Sequence, residues 1–182
     1  TGAGGSIGSE LCRQVAGFRP MRLVLYELSE FNLYTIEQEL TEAFPALELV
    51  RLIGDVKDLT HLRHTCTTWR PQVVFHAAAY KHVPLMEANP LESIRNNVVG
   101  TKVVADTAVR FGAKRFVLVS TDKALNPKAV YGQCKALAEW ITEAYGCRED
   151  VGTRFMAVRF GNVLGSAGSV ITIFRRQIAN GG

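Results

Sequence analysis

The chain opens on Thr1-Gly2-Ala3-Gly4-Gly5-Ser6-Ile7-Gly8, a glycine-rich turn that runs straight into the helix-forming stretch Ser9-Glu10-Leu11-Cys12-Arg13-Gln14-Val15. Such a turn narrows the fold sharply. The amides at a helix start and the positive end of the helix dipole converge on one point, which makes a seat for an anion. Gly2 suits the tight turn. Gly5 lets the backbone approach a pyrophosphate with no Cβ in the way, and Gly8 lets the helix pack closely on a sheet. Ser6 and Ile7 stand at the helix start, facing the same anion. An apolar strand, Arg22-Leu23-Val24-Leu25-Tyr26, then ends in Glu27, nineteen residues after Gly8. A carboxylate there accepts hydrogen bonds from a ribose diol. This favours NAD and leaves NADP as the alternative, since a 2′-phosphate would face like charge.

Strands and helices alternate along the rest of the chain. Leu33, Ile36, Leu40 and Phe44 recur at helical spacing, and Pro45 closes that helix. A strand over 47–53 leads into Gly54-Asp55-Val56, where Asp55 can accept from an adenine amino group and Val56 can cover its ring; Asp58 offers a helix N-cap. A short helix over 62–69 and a strand over 72–76 precede Ala77-Ala78-Ala79, small residues that let the backbone lie against a cofactor. One long helix is expected over 90–111, a strand over 115–119, a helix over 129–145 and a strand over 154–160. This pattern predicts an α/β fold, a doubly wound parallel sheet covered by helices on both faces. Because such a turn normally follows a buried strand, the sheet's first strand is expected to precede Thr1. Residues 1–160 read as a dinucleotide-binding domain and 161–182 as the start of a substrate-binding part. The expectation for residues 1–182 alone is therefore poor nucleotide binding, no turnover and a tendency to aggregate through unpaired strand edges.

Composition excludes several functions. A net charge of +4 is spread along the chain, with no Lys/Arg block and no interleaving of aromatic and basic residues of the kind single-stranded nucleic acid needs. Cys12, Cys66, Cys134 and Cys147 form no CxxC pair and have no His at metal-ligand spacing. Reduced thiols in the cytoplasm, and no metal, are expected. No apolar run reaches the ~18 residues of a membrane span. Trp69 and Trp140 read as packing residues, and His61 and His64 as helix surface.

The chemistry collects at the carboxyl edge of the sheet, where open parallel sheets bind ligands. Ser120-Thr121-Asp122-Lys123 closes a strand, and Tyr131 and Lys135 lie one turn apart on the next helix, sharing a face. A phenol with pKa near 10 is almost wholly protonated at neutral pH, so a neighbouring cation is needed to stabilise the phenolate. Lys135 can supply that cation. Tyr131 would then take a hydroxyl proton while Thr121 hydrogen-bonds the same oxygen and a hydride leaves the carbon.

These residues carry a resemblance. The opening turn, His76-Ala77-Ala78-Ala79, Asn97-Val98-Val99-Gly100-Thr101 and Tyr131-x-x-x-Lys135 resemble the extended short-chain dehydrogenase/reductase superfamily, with its Rossmann-type sheet. Tyr26-Glu27-Leu28-Ser29-Glu30-Phe31, Ala79-Tyr80-Lys81-His82-Val83-Pro84, Ser120-Thr121-Asp122-Lys123-Ala124 and Phe160-Gly161-Asn162-Val163-Leu164-Gly165-Ser166 are similar to bacterial nucleotide-sugar 4,6-dehydratases of polysaccharide biosynthesis. That resemblance implies a UDP-N-acetylglucosamine-type substrate, an NAD(P) held through the cycle and a 4-keto-6-deoxy product. It also implies a homo-oligomeric full-length protein that is cytoplasmic or anchored at the inner face of the membrane. Asp122 becomes the acid toward the carbon 6 oxygen and Lys123 the base toward carbon 5; the two titrate as a coupled pair, with the proton on either member. Lys81 and Asn162 become substrate contacts. The chain departs from many membrane-anchored relatives in carrying Tyr131 where they have Met, and from others in carrying Ala167 where a larger polar residue is common. A nucleotide-sugar 4-epimerase needs the same Thr121, Tyr131 and Lys135 without the acid-base pair, and a non-catalytic nucleotide-binding module needs neither.

Overall fold

In a computed structural model, residues 1–163 and 170–181 are described. Strand β1 (Arg22–Glu27) pairs in parallel with β2 (Glu48–Ile53), Arg22 opposite Glu48 and Glu27 opposite Ile53. Strands β3 (Val73–His76), β4 (Arg115–Val119) and β5 (Arg154–Val158) form a second parallel group in that order. Thr1 and Gly2 join the two groups at their carboxyl ends. The Gly2 amide donates to the Tyr26 carbonyl at 2.9 Å, Thr1 N donates to the Phe75 carbonyl at 2.8 Å, and the Ala77 amide donates to the Thr1 carbonyl at 3.1 Å. The glycine turn therefore emerges at the edge where the expected site residues gather.

Helices cover both faces, as the alternation predicts. Helices α1 (Ser6–Gly17) and α2 (Glu30–Ala43) bury Cys12, Ala16, Leu33, Ile36 and Leu40 against Leu25. On the other face α3 (Leu59–Trp69), α6 (Gly100–Arg110) and α7 (Val130–Gly146) contribute Leu62, Val104, Ala108 and Ala138 to a core around Tyr26, Phe116 and Leu118. Leu25 and Tyr26 are adjacent and serve opposite cores, which follows from the period-2 alternation of a strand. Ser29 and Asp58 cap α2 and α3 by accepting from the Asn32 and His61 amides.

Three expectations need correction. The helix expected over 90–111 is α5 (Pro90–Ser93), a π-helical segment Ile94–Val99, and α6. The wide π turn brings Asn96 and Asn97 inside, where they are buried; π turns are frequent at functional sites. Short elements α4 (Val83–Ala88) and a 3₁₀ turn Asp122–Ala124 lie where only loop is expected. Trp140 is 64% exposed, because the buried stripe of α7 runs through Cys134, Lys135, Ala138 and Thr142. Trp69 is half-buried, with the Arg22 guanidinium 4.8 Å over its ring. Helix α8 (Val170–Ala179) ends the chain; Ala167 and the motif residues Leu164, Gly165 and Ser166 lie outside the described residues. Among the described residues no helix is long and apolar enough to cross a membrane.

The glycine turn is as crowded as its sequence implies. A Cβ on Gly8 would fall 1.7 Å from the Gly2 carbonyl oxygen, and one on Gly2, whose φ is +67°, would meet the Ala77–Ala78 backbone at 2.7–2.8 Å. Both obstacles are backbone and cannot swing away. Gly8→Ala should therefore destabilise by about 2–4 kcal/mol. Gly17→Ala, in open space at the end of the same helix, should stabilise by about 0.5–1 kcal/mol. Thermal melts of the two variants check the pair, and a neutral Gly8→Ala would contradict the packing.

Candidate active site

Beside the turn lies a cleft of about 260 Å³ lined by Gly5 to Gly8, Ala77, Ala79, Tyr80, Lys81, His82, Leu85 and Met86. Gly5 differs from its neighbours. A Cβ there would meet only the Gly2 oxygen at 3.5 Å, so no protein atom demands glycine at that position. Open space at Gly5 is what close approach by a ligand requires. Gly4 is the reverse case, unforeseen from the sequence: a Cβ would strike Asn32 on α2 at 2.5 Å. Ala77 lines the cleft, whereas Ala78 packs beneath, against Gly2 and the core.

Glu27 is buried, and both its oxygens are engaged. Oε2 accepts from the Gly4 amide at 2.9 Å and Oε1 from the Ser29 amide at 3.0 Å. Each carboxylate oxygen has a second lone pair, so the group can brace the glycine turn and still accept from a diol. Asp55, at the expected adenine edge, is engaged in the same way. Asp55 Oδ1 accepts from the Lys57 amide at 2.8 Å, and Oδ2 pairs with Lys57 Nζ at 3.1 Å. The Val56 side chain is in the core beneath Gly100, leaving almost none of it to cover a ring.

A buried polar chain ties the turn to the cleft. The Thr101 hydroxyl gives its one proton to the Asn97 carbonyl at 2.7 Å, so it must accept from His76 Nε2 at 3.0 Å. That leaves His76 Nδ1 to accept from the Thr1 hydroxyl at 2.7 Å. Burial, and then the charge of Lys135, hold His76 well below the ordinary imidazole pKa, so the ring is neutral. Asn97 in turn grips Tyr80 by both backbone groups, accepting from its amide and donating to its carbonyl, each at 2.9 Å. The π segment is what aims Asn97 at Tyr80, and hydrophobic spacing gave no sign of it.

Thr121, Asp122, Lys123 and Asn162 come together at the ends of β4 and β5. The Thr121 hydroxyl donates to Asp122 Oδ1 at 3.0 Å and accepts from the Lys123 amide at 3.3 Å. Lys123 Nζ donates to Asp122 Oδ1 and to Asn162 Oδ1, both at 3.1 Å. Hydrogen bonds from Lys123 and then Thr121 hold the Asp122 carboxyl below its usual range. Tyr131 sits beside Thr121; burial pushes its phenol above the ordinary value, with the Thr121 hydrogen bond pulling down and the Asp122 charge pushing up. Glu87 on α4, the helix that walls the cleft, accepts from the Val130 amide at 2.7 Å and so fixes the start of α7.

Lys135 Nζ donates to the Val119 carbonyl at 2.6 Å. A buried ammonium needs an acceptor, and the last carbonyl of β4 provides one. Burial brings its pKa down to about 8, opposed by the Glu139 carboxylate. Glu139, not foreseen from the sequence, accepts from Ser120 and holds the Arg159 guanidinium through both oxygens.

A parallel α/β sheet with a glycine-rich turn and a Thr-Asp-Lys-Tyr cluster at its carboxyl edge is a Rossmann-like fold. The sequence matches the family described as "Polysaccharide biosynthesis protein" over residues 1–182, and the chain belongs to that family. It is 49% identical to the capsular polysaccharide biosynthesis protein CapD of Staphylococcus aureus, over the whole chain and 30% of CapD. It is 34% identical to a UDP-N-acetylglucosamine 4,6-dehydratase (inverting) of Campylobacter jejuni, over the whole chain and 53% of that protein. Pen from Bacillus thuringiensis superposes with a TM-score of 0.89 at 33% identity, over 99% of this chain and 56% of Pen. DesIV, a dTDP-glucose 4,6-dehydratase from Streptomyces venezuelae with NAD and TYD bound, shares the fold at TM-score 0.80 and 24% identity, over the whole chain and 61% of DesIV. The chain thus spans about a third to somewhat over half the length of these proteins.

Removing Glu27 takes the acceptor from two amides that shape the turn. Glu27→Ala should weaken NAD binding and relax discrimination against NADP by about 1–3 kcal/mol, the order of a lost charge-assisted hydrogen bond. Calorimetric titration of both nucleotides checks this, and a parent protein that prefers NADP would contradict the role of Glu27.

Proposed function

We propose that the full-length protein is an NAD(P)-dependent 4,6-dehydratase of a UDP-N-acetylglucosamine-type sugar. The observation that carries this reading is the Thr121-Asp122-Lys123 cluster beside Tyr131, because a 4-epimerase has no use for an acid-base pair at carbons 5 and 6. The residues fit a dinucleotide: the turn leaves open space at Gly5, Ala77 and Ala79 face the cleft, and Glu27 keeps acceptor capacity. A nicotinamide bound there would take a hydride from carbon 4 and return it to carbon 6. The 34% identity to a protein named for this reaction supports the same reading.

Tyr131 removes the proton of the carbon 4 hydroxyl, and Thr121 orients the phenol. Once carbon 4 is a ketone the carbon 5 hydrogen is acidic; Lys123 Nζ, which donates to Asp122 Oδ1 and Asn162 Oδ1, passes one proton to Asp122 and then, as the neutral amine, takes the carbon 5 proton. Asp122 delivers a proton to the carbon 6 oxygen as water leaves. Lys135 serves from beneath, its charge held against the β4 terminus. Lys81 faces the cleft from the opposite wall and contacts the diphosphate or sugar.

Two variants separate the halves of this sequence. Tyr131→Phe should suppress cofactor reduction by about 10²–10⁴-fold, as expected for a lost general base. Asp122→Asn should still reduce its cofactor on mixing with substrate and then stall before water is expelled. Rapid-mixing absorbance at the reduced-nicotinamide band, with product analysis, reads both. Loss of the burst in Asp122→Asn, or dehydration at the parent rate, would remove Asp122 as the elimination acid.

A further inference from the structure

Helix α7 carries Tyr131 in its first turn, yet the sequence just before it does not supply the cap that a helix start needs. The first four amides of a helix have no partner within it, and Ser29 and Asp58 meet part of that need for α2 and α3. At α7 the N-cap residue is Ala129, which has no side-chain acceptor. The Val130 amide donates instead to Glu87 Oε1 at 2.7 Å, on a residue 43 positions earlier in the chain. A carboxylate is the favoured charge at a helix start. Glu87 belongs to α4, which packs on α7 and lends Leu85 and Met86 to the cleft wall.

The same helical turn meets the Thr-Asp-Lys cluster through Gly132. A Cβ there would fall 2.4 Å from the Lys123 carbonyl oxygen, so α7 lies directly on the 3₁₀ turn Asp122–Ala124. Tyr131 is the residue between these two contacts, with Val130 held by the cleft wall and Gly132 by the Lys123 backbone. We propose that Glu87 is the positioning residue of Tyr131, tying the start of α7 to the wall of the cofactor cleft through the Val130 amide. This role rests on Tyr131 acting at the carbon 4 hydroxyl, as in the dehydratase reading.

Oxidation at carbon 4 requires Tyr131 to be placed against two things at once, the sugar and the nicotinamide. The Lys123 carbonyl sets α7 against Asp122 and Lys123, which serve carbons 5 and 6. It gives no reference to the cofactor. Glu87 supplies that reference, because the helix that bears it also lines the cleft in which the dinucleotide fits. Glu87 itself is not among the residues lining the cleft, so its removal leaves the nucleotide's own contacts in place. A misplacement of about 1 Å at a reacting group can cost on the order of 10²-fold in rate. A lost tether is therefore visible in the chemical step while binding is unchanged.

The test uses the full-length protein and reads three quantities: the rate of cofactor reduction on rapid mixing with UDP-N-acetylglucosamine, the dissociation constant of NAD and the melting temperature. Glu87→Ala should slow cofactor reduction by about 10–10²-fold with NAD affinity unchanged. Glu87→Gln, which keeps the acceptor oxygen, should recover most of the rate. Adding Ala129→Ser to Glu87→Ala gives α7 a cap of its own, at a residue whose backbone is already extended (φ −100°, ψ 152°). That second change should restore the melting temperature and leave the reduction slow. A parental rate in Glu87→Ala would overturn the proposal, and so would recovery of the rate by Ala129→Ser, which would make Glu87 a helix cap and nothing more. If Glu87→Ala does not fold, Glu87→Asp decides, since it keeps the charge but is one methylene too short to reach Val130: slow reduction at the parental melting temperature supports the tether, and a parental rate overturns it. A parent protein that reduces its cofactor yet returns a sugar of unchanged mass sinks the dehydratase reading and leaves the test of Glu87 intact, because Tyr131 begins both reactions. A parent that never reduces its cofactor overturns both.

Discussion

The contact between Gly8 and the Gly2 carbonyl, where the first turn of α1 lies directly on the chain entering the glycine turn, sets the geometry of everything around it. With no room for even one Cβ between them, the helix start is fixed against the point where Thr1 and Gly2 bridge β1 and β3. Helix amides thereby face the cleft at the carboxyl edge, where Glu27, Ala77 and Thr121 end their strands. If the helix lifted by one methyl group, the anion seat and the strand ends would no longer share an edge.

Rigidity at that point is carried outward by polar groups that are buried and matched. Glu27 spends an oxygen on the Gly4 amide, and His76 stands between Thr1 and Thr101, with its tautomer set by the demands of its neighbours. Asn97 continues the chain to Tyr80 and so to the wall of the cleft. Buried networks of this kind are stabilising only when every member is satisfied, and here Glu27, His76 and Asn97 each find partners. Behind the Thr-Asp-Lys cluster, Glu139 gathers Ser120 and Arg159 and acts on Lys135 through its charge, fixing β4, β5 and α7 relative to one another.

The sequence showed the features that depend on spacing along the chain. Glycine positions, Glu27 at a strand end, the 3–4 spacing of Leu33, Ile36 and Leu40, and the cap at Asp58 all follow from local geometry that repeats with a known period. Features that depend on which partner a buried group finds were hidden. Lys135 shares a helix face with Tyr131, yet its ammonium turned to the Val119 carbonyl, because burial made the nearest acceptor decisive. Asn97 turned inward only because the helix widened by a π turn, and the Val-rich stretch of 90–111 carries no trace of that. Val56 was visible as apolar, but whether it faced a ligand or Gly100 rested on how α6 packs.

The central claim is that the cluster at the carboxyl edge performs elimination in addition to oxidation. It is tested most directly by incubating the full-length protein with UDP-N-acetylglucosamine and NAD and reading the mass of the nucleotide sugar. The account predicts a product lighter by one water and bearing a ketone at carbon 4. A sugar of unchanged mass with inverted carbon 4 would contradict it, leaving Asp122 and Lys123 without the chemistry assigned to them.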